Sequence, residues 1–413
     1  MVDKNLFLYD LAVVAIMKDE APYLAEWLDY HLLAGVEHFY LYDNDSTDNQ
    51  AEVARPYVEA GLVDYFPAPG EIMQMPVYND AVKKFKFVCR NMAFIDADEF
   101  LYPKTNRSVA EVIDEIFELD SKAAGVAVNW QIFGSSGHET ADLSRGVLER
   151  FMRRAPSDWA PDGLGNAHVK TISNPRKINL IHNPHFAQYF INRYSVNENG
   201  KQIPGEKIRD INIYAFNNPV TVDKIALNHY YAKSREEFAK KIRRGRCDQP
   251  TNNYKMAFFD AYDRNEIFDD GILRYRAARA KNFTLENNDD RVIRVIDTLT
   301  ATLPTVSDME TALTCRAISS YLRGKLSDDR FKDCEEASIA AVLMSLNYCT
   351  FADAQMFIRE LPELLTLPYP IVADVRRAAE NIISQLMDVL KRNVRWHEYA
   401  EYNFIRDMLK IGG

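Results

Sequence analysis

The sequence predicts an α/β protein: a mostly parallel central sheet with flanking helices, followed by an all-helical C-terminal domain. Three observations predict it. Strand and helix signals alternate through the first hundred residues, the pattern of right-handed crossovers in a parallel sheet. Acidic clusters at 19–20, 43–48 and 96–99 each follow a strand directly, and ligands of such sheets gather at the carboxyl ends of strands. Beyond about residue 260 strand signals stop and helical periodicity takes over. The expected division is residues 1–260 for the α/β domain and 261–413 for the helical one.

The elements follow in order. Leu11–Met17 is a short β-rich apolar run ending at Lys18-Asp19-Glu20. Pro22 suits the first turn of a helix, and Leu24, Trp27, Leu28, His31 and Leu32 recur at helical spacing until Gly35 closes it. Val36–Tyr42 is a second strand, ending in Asp43-Asn44-Asp45-Ser46-Thr47-Asp48. A helix over Asn49–Ala60, a strand over Val63–Phe66, a helix over Tyr78–Val88 and a strand over Met92–Ile95 complete the alternation. Ser108 with Glu111, and Ser234 with Glu237, are capping boxes opening helices to about Leu119 and Gly245. Between them lie expected strands Ala124–Trp130, His168–Ile172, Lys177–Ile181 and Val220–Leu227. The loops Gly134–His138 and Pro156–Gly165 separate some of these strands. Later helices are expected at 289–302, 308–323, 330–348, 371–391 and 394–409.

Composition narrows the function. A net charge of −10 over 413 residues gives no general attraction for nucleic acid or anionic membrane. An anionic ligand must then be held by a local basic patch or through a metal. Five cysteines without a CxxC pair suggest reduced thiols and a cytoplasmic location. The stretch Leu6–Met17, broken by Asp10, is not expected to act as a signal peptide, and no 18-residue apolar window predicts a membrane span.

The chemistry concentrates in two acidic segments. In Phe94-Ile95-Asp96-Ala97-Asp98-Glu99-Phe100, two carboxylates stand two residues apart between bulky apolar residues. Unpaired charge would be costly there, and both carboxylates can reach one hard cation, Mg²⁺ or Mn²⁺, that also takes phosphate oxygens. The Asp43–Asp48 segment reads two ways. It is either a turn capping the next helix or a pair of acceptors, Asp43 and Asp45, for a nucleoside.

Taken jointly, Lys18-Asp19-Glu20, Glu26-Trp27, Tyr30-His31, Gly35-Val36-Glu37-His38, Tyr42–Asp48 and Asp96–Phe100 resemble the glycosyltransferases of GT-A fold. The branch is that around glycosyltransferase family 92 and its bacterial relatives related to family 2. Trp130–His138, Lys170-Thr171-Ile172, Asn228–Tyr231 and the Ser234–Gly245 helix extend the resemblance over about residues 8–250. It implies a UDP-sugar donor and Mn²⁺ or Mg²⁺ at Asp96 and Asp98. Asp43, Asp45 and Glu20 would face the nucleoside, and Asp96 the ribose as well. A further metal ligand is expected at His229, with His182 or His185 as the alternative.

An inverting transfer also needs a general base at the acceptor hydroxyl. Glu139 and Asp162 are the candidates. Lys170, Lys233, Arg243 and Arg244 are candidate cations for the leaving diphosphate, and Trp130, Phe133, Trp159 and Tyr230 candidate sugar-stacking rings. Two departures stand out: no Trp precedes the Asp96 strand, and Asp19 replaces the commoner Asn.

The resulting expectation is a metal-dependent hexosyltransferase of surface polysaccharide or lipopolysaccharide synthesis, with galactose the first donor. It would take a glycan or glycolipid acceptor and work in the cytoplasm, at the inner membrane face if peripheral association adds to it. Two other readings accompany it. A sugar nucleotidyltransferase would carry a Gly-rich phosphate loop where Lys18–Pro22 stands. A non-catalytic scaffold would use its helical C-terminus for protein interactions.

Overall fold

The computed structural model describes residues 2–203, 206–208, 211–213, 215–247, 255–325, 330–345, 351–366, 371–392, 403, 405 and 406. The chain forms two compact units. One comprises residues 9–189 and 193–288; the other comprises 1–8, 190–192 and 289–413. Residues 261–288 thus pack with the α/β unit, so the helical unit starts at Asp289 rather than 261.

The α/β unit begins with β1 (Tyr9–Met17), α1 (Ala21–Leu33), β2 (His38–Asp43), α2 (Gln50–Glu59), β3 (Val63–Pro67), α3 (Gln74–Phe85) and β4 (Cys89–Phe94). It continues with β5 (Glu99–Pro103), α4 (Val109–Glu118), β6 (Ala123–Ile132), α5 (Val147–Arg150), β7 (Arg153–Arg154), β8 (Val169–Ser173), β9 (Ile178–Asn183), β10 (Phe186–Tyr189) and β11 (Tyr194–Val196). The remainder is β12 (Glu206–Ile208), β13 (Ile211–Ile213), β14 (Ile225–His229), α6 (Arg235–Arg244), α7 (Met256–Tyr262), β15 (Ile267–Phe268) and α8 (Gly271–Asn282).

Nine strands form one sheet in the order β3-β2-β1-β4-β8-β6-β14-β5, with β11 also on β6. Its first four strands are parallel, as the alternation predicts. The rest is mixed: β8 runs antiparallel to β4 and β6, and β5 antiparallel to β14. Of the parallel strands, β1, β2 and β4 are buried almost throughout, whereas β3 at the sheet's edge is mostly half-buried. Register places Met17 beside Asp43 and Val14 beside Phe94. The three acidic strand ends therefore share one edge.

Strand β5 is the element that the sequence hides. It starts at Glu99, inside the acidic cluster, and its five residues are buried. Its pairing with β14 sets Glu99 opposite His229 and Phe100 opposite Asn228. That register carries His229 to the acidic edge.

Helix α1 is locked to β5 from one face. Trp27 Nε1 donates to the Glu99 carbonyl at 2.9 Å and Tyr30 Oη to the Leu101 carbonyl at 2.8 Å. His31 is fully buried; its Nδ1 lies 2.8 Å from the Trp27 carbonyl, and its Nε2 accepts from Leu101 N at 3.2 Å. Burial depresses its pKa to about 3, so the ring stays neutral and structural.

The helical unit contains α9 (Asn288–Thr302), α10 (Met309–Lys325), α11 (Arg330–Ser345), α12 (Phe351–Leu364) and α13 (Ile371–Arg392). Helix α12 goes unpredicted by the sequence reading. The expected helix at 394–409 falls mostly outside the described residues. Leu6, Leu299, Leu303 and Cys315 make a local core in this unit. No helix among the described residues is long and apolar enough to cross a membrane.

Candidate functional site

Two turns at the ends of β1 and β2 cap each other. The Asp19 carboxylate accepts from Thr47 N at 2.6 Å and Asp48 N at 3.3 Å. In return Asp19 N donates to Ser46 Oγ, Glu20 N to Gln50 Oε1 and Ala21 N to the Asp48 carboxylate. Asp19 and Asp45 both hold φ above +50°, a region that Asp tolerates better than most residues. Asp19 therefore caps the turn before α2, not the helix that follows it in sequence. Asp19→Ala should cost about 1 kcal/mol in a denaturant melt, the value of one helix cap, and Asp19→Asn clearly less.

Asp43 belongs to the same turn: its carboxylate accepts from Ser46 N at 3.0 Å. The turn reading holds for Asp43, and Asp45 instead lines the adjacent cavity while accepting from Gly70 N at 3.2 Å. Asn44 pins the opposite lip through the Ala68 and Gly70 carbonyls, both at 2.8 Å.

This cavity of about 530 Å³ opens over the shared edge. Its wall includes Glu20, Asp45, Gln74, Asp96, Asp98 and His229. The structure thus gathers these five candidates from sequence with Trp130, His185 and Arg244, and adds Gln74.

Asp96 and Asp98 face different partners. The Asp96 carboxylate accepts from Gln74 Nε2 and from Lys170 Nζ, both at 2.9 Å. Lys170 is buried at 1% exposure and also lies 3.6 Å from Glu99. It is a fixed counterion beneath Asp96 rather than a group lining the cavity. Burial alone would lower its pKa, but Asp96 and Glu99 raise it. Burial raises Glu99 to about 8 despite Lys170, and one of its oxygens has no hydrogen-bond partner.

Asp98 is 8% exposed. One oxygen accepts from Lys241 Nζ at 2.7 Å, and the other lies 3.5 Å from His229 Nε2. Burial would raise its pKa, yet Lys241, His229 and Lys233 hold it well below the usual carboxylate range. Burial lowers the pKa of His229 although Asp98 opposes the shift. Trp130 packs against this ring edge-on at 4.4 Å and stacks on His168 at 4.6 Å. His185 also lines the cavity, but its Nδ1 lies 3.0 Å from the Val169 carbonyl; His182 does not line it.

Among the described residues, no three His, Cys, Asp or Glu side chains converge as a complete metal site. Asp98 and His229 fit a divalent cation as a two-ligand site, a hard oxygen beside an imidazole nitrogen. The two Asp96 oxygens face Gln74 Nε2 and Lys170 Nζ instead.

Helix α6 closes the remaining wall. Its capping box at Ser234 and Glu237 is fully formed. Glu237, Phe238, Lys241 and Arg244 fall at i, i+1, i+4 and i+7 and share its inward face. Arg244 pairs with Glu20 and donates to the Lys18 carbonyl at 3.0 Å. Lys241 escaped the sequence reading because Lys-Lys-Ile-Arg-Arg looks like a solvated basic surface. The buried Phe238 in the same helix was the signal that could have found it.

The candidate bases lie elsewhere. The side chain of Glu139 is 76% exposed and faces Arg235 at 3.7 Å. Asp162 is exposed in a short turn and does not line the cavity. Glu139 follows the loop after β6, whose last residue, Ile132, pairs with His229, and Asp162 follows β7. Glu139→Gln and Asp162→Asn should each keep kcat within about threefold, where loss of a general base costs 10²-fold or more. Of the candidate stacking rings, Trp130 packs in the core and also lines the cavity, Phe133 and Tyr230 are core residues, and Trp159 is partly buried against the same core.

The family model for glycosyltransferase family 92 matches residues 14–243, more than half of the chain and the whole of the edge just described. The chain belongs to glycosyltransferase family 92. A family 92 protein of Ricinus communis is 24% identical over 188 residues, 44% of this chain and 32% of its own length. A family 92 protein of Oryza sativa subsp. japonica is 25% identical over 181 residues, 44% of this chain and 30% of its own. A galactan β-1,4-galactosyltransferase of Arabidopsis thaliana is 30% identical over 105 residues, 23% of this chain and 20% of its own. The chain thus spans about a third or less of the length of these relatives. The crystal structure of S. aureus TarS 1–349 in complex with UDP aligns over 98% of this chain and 92% of that one, with 12% identity. Its TM-score of 0.30 gives that likeness no weight for function. As a member of family 92, the chain carries the GT-A arrangement that its motifs imply: a parallel half-sheet, an acidic pair after β4 and a mixed second half.

Proposed function

We propose that this family 92 chain is a metal-dependent, inverting hexosyltransferase that uses a UDP-sugar. The convergence of Asp98 and His229 on a strand-end cavity, with Asp45 and Gln74 in the same wall, is the observation that carries the reading. Glu20, Asp45, Glu71, Asp96 and Asp98 line it against Lys18, Lys241, Arg244 and Arg246. A diphosphate therefore meets no net positive field from these fixed charges, and a divalent cation would reverse the local sign. Held by Asp98 and His229, Mn²⁺ or Mg²⁺ would supply charge neutralisation to the departing diphosphate.

The chain's own groups do the positioning. Lys170 and Gln74 fix the Asp96 carboxylate toward the donor ribose. Asp45 accepts from the nucleoside at the β2 end, and the mutual caps of the two turns keep that floor rigid. Galactose is the favoured sugar, supported by the galactosyltransferase relative, and a glycan of surface polysaccharide or lipopolysaccharide type is the proposed acceptor. The proposed setting is the cytoplasm, including its membrane face. A hydrolysis screen over UDP- and GDP-sugars with Mn²⁺ tests this. Turnover of a UDP-hexose only with metal is expected; equal turnover in a chelator, or none with any UDP-sugar, overturns it.

A further inference from the structure

The two oxygens of Asp98 are already divided. One faces His229 Nε2 at 3.5 Å, and the other accepts from Lys241 Nζ at 2.7 Å. The Lys241 ammonium also donates to the Tyr231 carbonyl at 3.3 Å and sits 4.3 Å over the Tyr231 ring. A divalent cation seated between Asp98 and His229 would therefore stand beside a fixed positive charge, which repels it.

The neighbouring cations are paired with other carboxylates. Arg244 is tied to Glu20 and the Lys18 carbonyl. Lys170 is locked between Asp96 and Glu99. Lys233 lies 3.6 Å from Glu20 and 3.6 Å over the Tyr23 ring. Lys241 projects from α6 on a flexible four-carbon stem into the cavity wall, between the acidic pair and the open volume. The helix beneath it is anchored by buried Glu237 and Phe238, so its ammonium can swing while its Cα stays in place.

We propose that Lys241 is a resident counterion of Asp98, displaced by the divalent cation and handed to the donor's diphosphate. The inference rests on the metal-dependent donor reading above and adds an order to it. The cation alone must evict Lys241 and binds weakly. With the nucleotide present, the evicted ammonium gains a new anionic partner, and the cation binds tightly. Metal and donor are thereby positively coupled through one side chain, and the coupling is reciprocal.

The test is the electron paramagnetic resonance of free Mn²⁺ titrated into wild type, Lys241→Met and Lys241→Gln, with and without UDP. Without UDP, both variants should bind Mn²⁺ about tenfold more tightly than wild type. With UDP, wild type should tighten about tenfold, and the variants by less than about threefold. A cooperative thermal melt on the same samples confirms that each variant is folded; the two substitutions give independent chances of that. Equal Mn²⁺ affinity in wild type and a folded variant overturns the inference and leaves the donor reading standing. No Mn²⁺ binding by any of the three, with or without UDP, overturns both.

Discussion

Asp98→Asn is expected to abolish Mn²⁺-dependent UDP binding in calorimetry and to lower kcat/KM by about 10³-fold, the scale of losing one preorganised charge at a reacting centre. The substitution is isosteric. It removes the negative charge that Lys241 and His229 both face, and replaces one carboxylate oxygen with an amide nitrogen, which does not ligate a hard cation. The partners Lys241 and Tyr231 line the cavity wall, so the fold should survive. Asp96→Asn makes a useful contrast. Its carboxylate is held by Gln74 and Lys170, so its loss should weaken donor binding while Mn²⁺ alone still binds. If Asp98→Asn binds UDP with Mn²⁺ as tightly as wild type, the two-ligand site is not at Asp98.

Arg150→Met carries the largest expected effect on stability. Arg150 and Glu237 form a two-pronged ion pair, both contacts at 2.9 Å, with side chains 1% and 2% exposed. Glu237 also accepts from Ser234 N at 3.0 Å and Tyr23 Oη at 2.8 Å, so it ties α1, α5 and α6 together. Removing the guanidinium leaves a buried carboxylate without its counter-charge, at a cost of about 3–5 kcal/mol by urea melt. The pH dependence should change sign. In wild type, burial would raise the Glu237 pKa, but Arg150 and Ser234 bring it down to about 2. Its unfolded value is near 4.5. This contribution is therefore present above pH 4.5 and is lost as pH falls toward 2. In Arg150→Met burial prevails and the folded pKa rises above the unfolded one, so acidification toward that raised pKa should stabilise the variant. A variant that weakens with acid in parallel with wild type would refute the assignment.

How far the sequence revealed this molecule depends on what kind of signal each part leaves. The parallel half was legible because β1, β2 and β4 are buried on both faces and alternate with amphipathic helices. Capping boxes at Ser108 and Ser234 fixed two helix starts to the residue. Strand β5 was not legible, because its first residue is Glu99 and the acidic cluster reads as a turn. At the site, Asp98 and His229 come together through strand register 131 residues apart, and only resemblance pointed there. Gln74 left no signal at all: a polar residue reaching Asp96 from another element has no local pattern. The partners of Asp43 and Lys170 were hidden for one reason. Asp43 accepts from a turn amide and Lys170 lies between the carboxylates of Asp96 and Glu99, and a sequence does not say which charges meet inside.

The exchange of caps between the β1 and β2 turns has a consequence for inheritance. Asp19 serves the amides of Thr47 and Asp48, and Asp48 serves the amide of Ala21. A residue without a side-chain acceptor at either position strands amides on the other loop, and nothing placed at the second position can serve them. Positions 19 and 48 should therefore each keep Asp or another short acceptor across descendants of this chain, independently of one another.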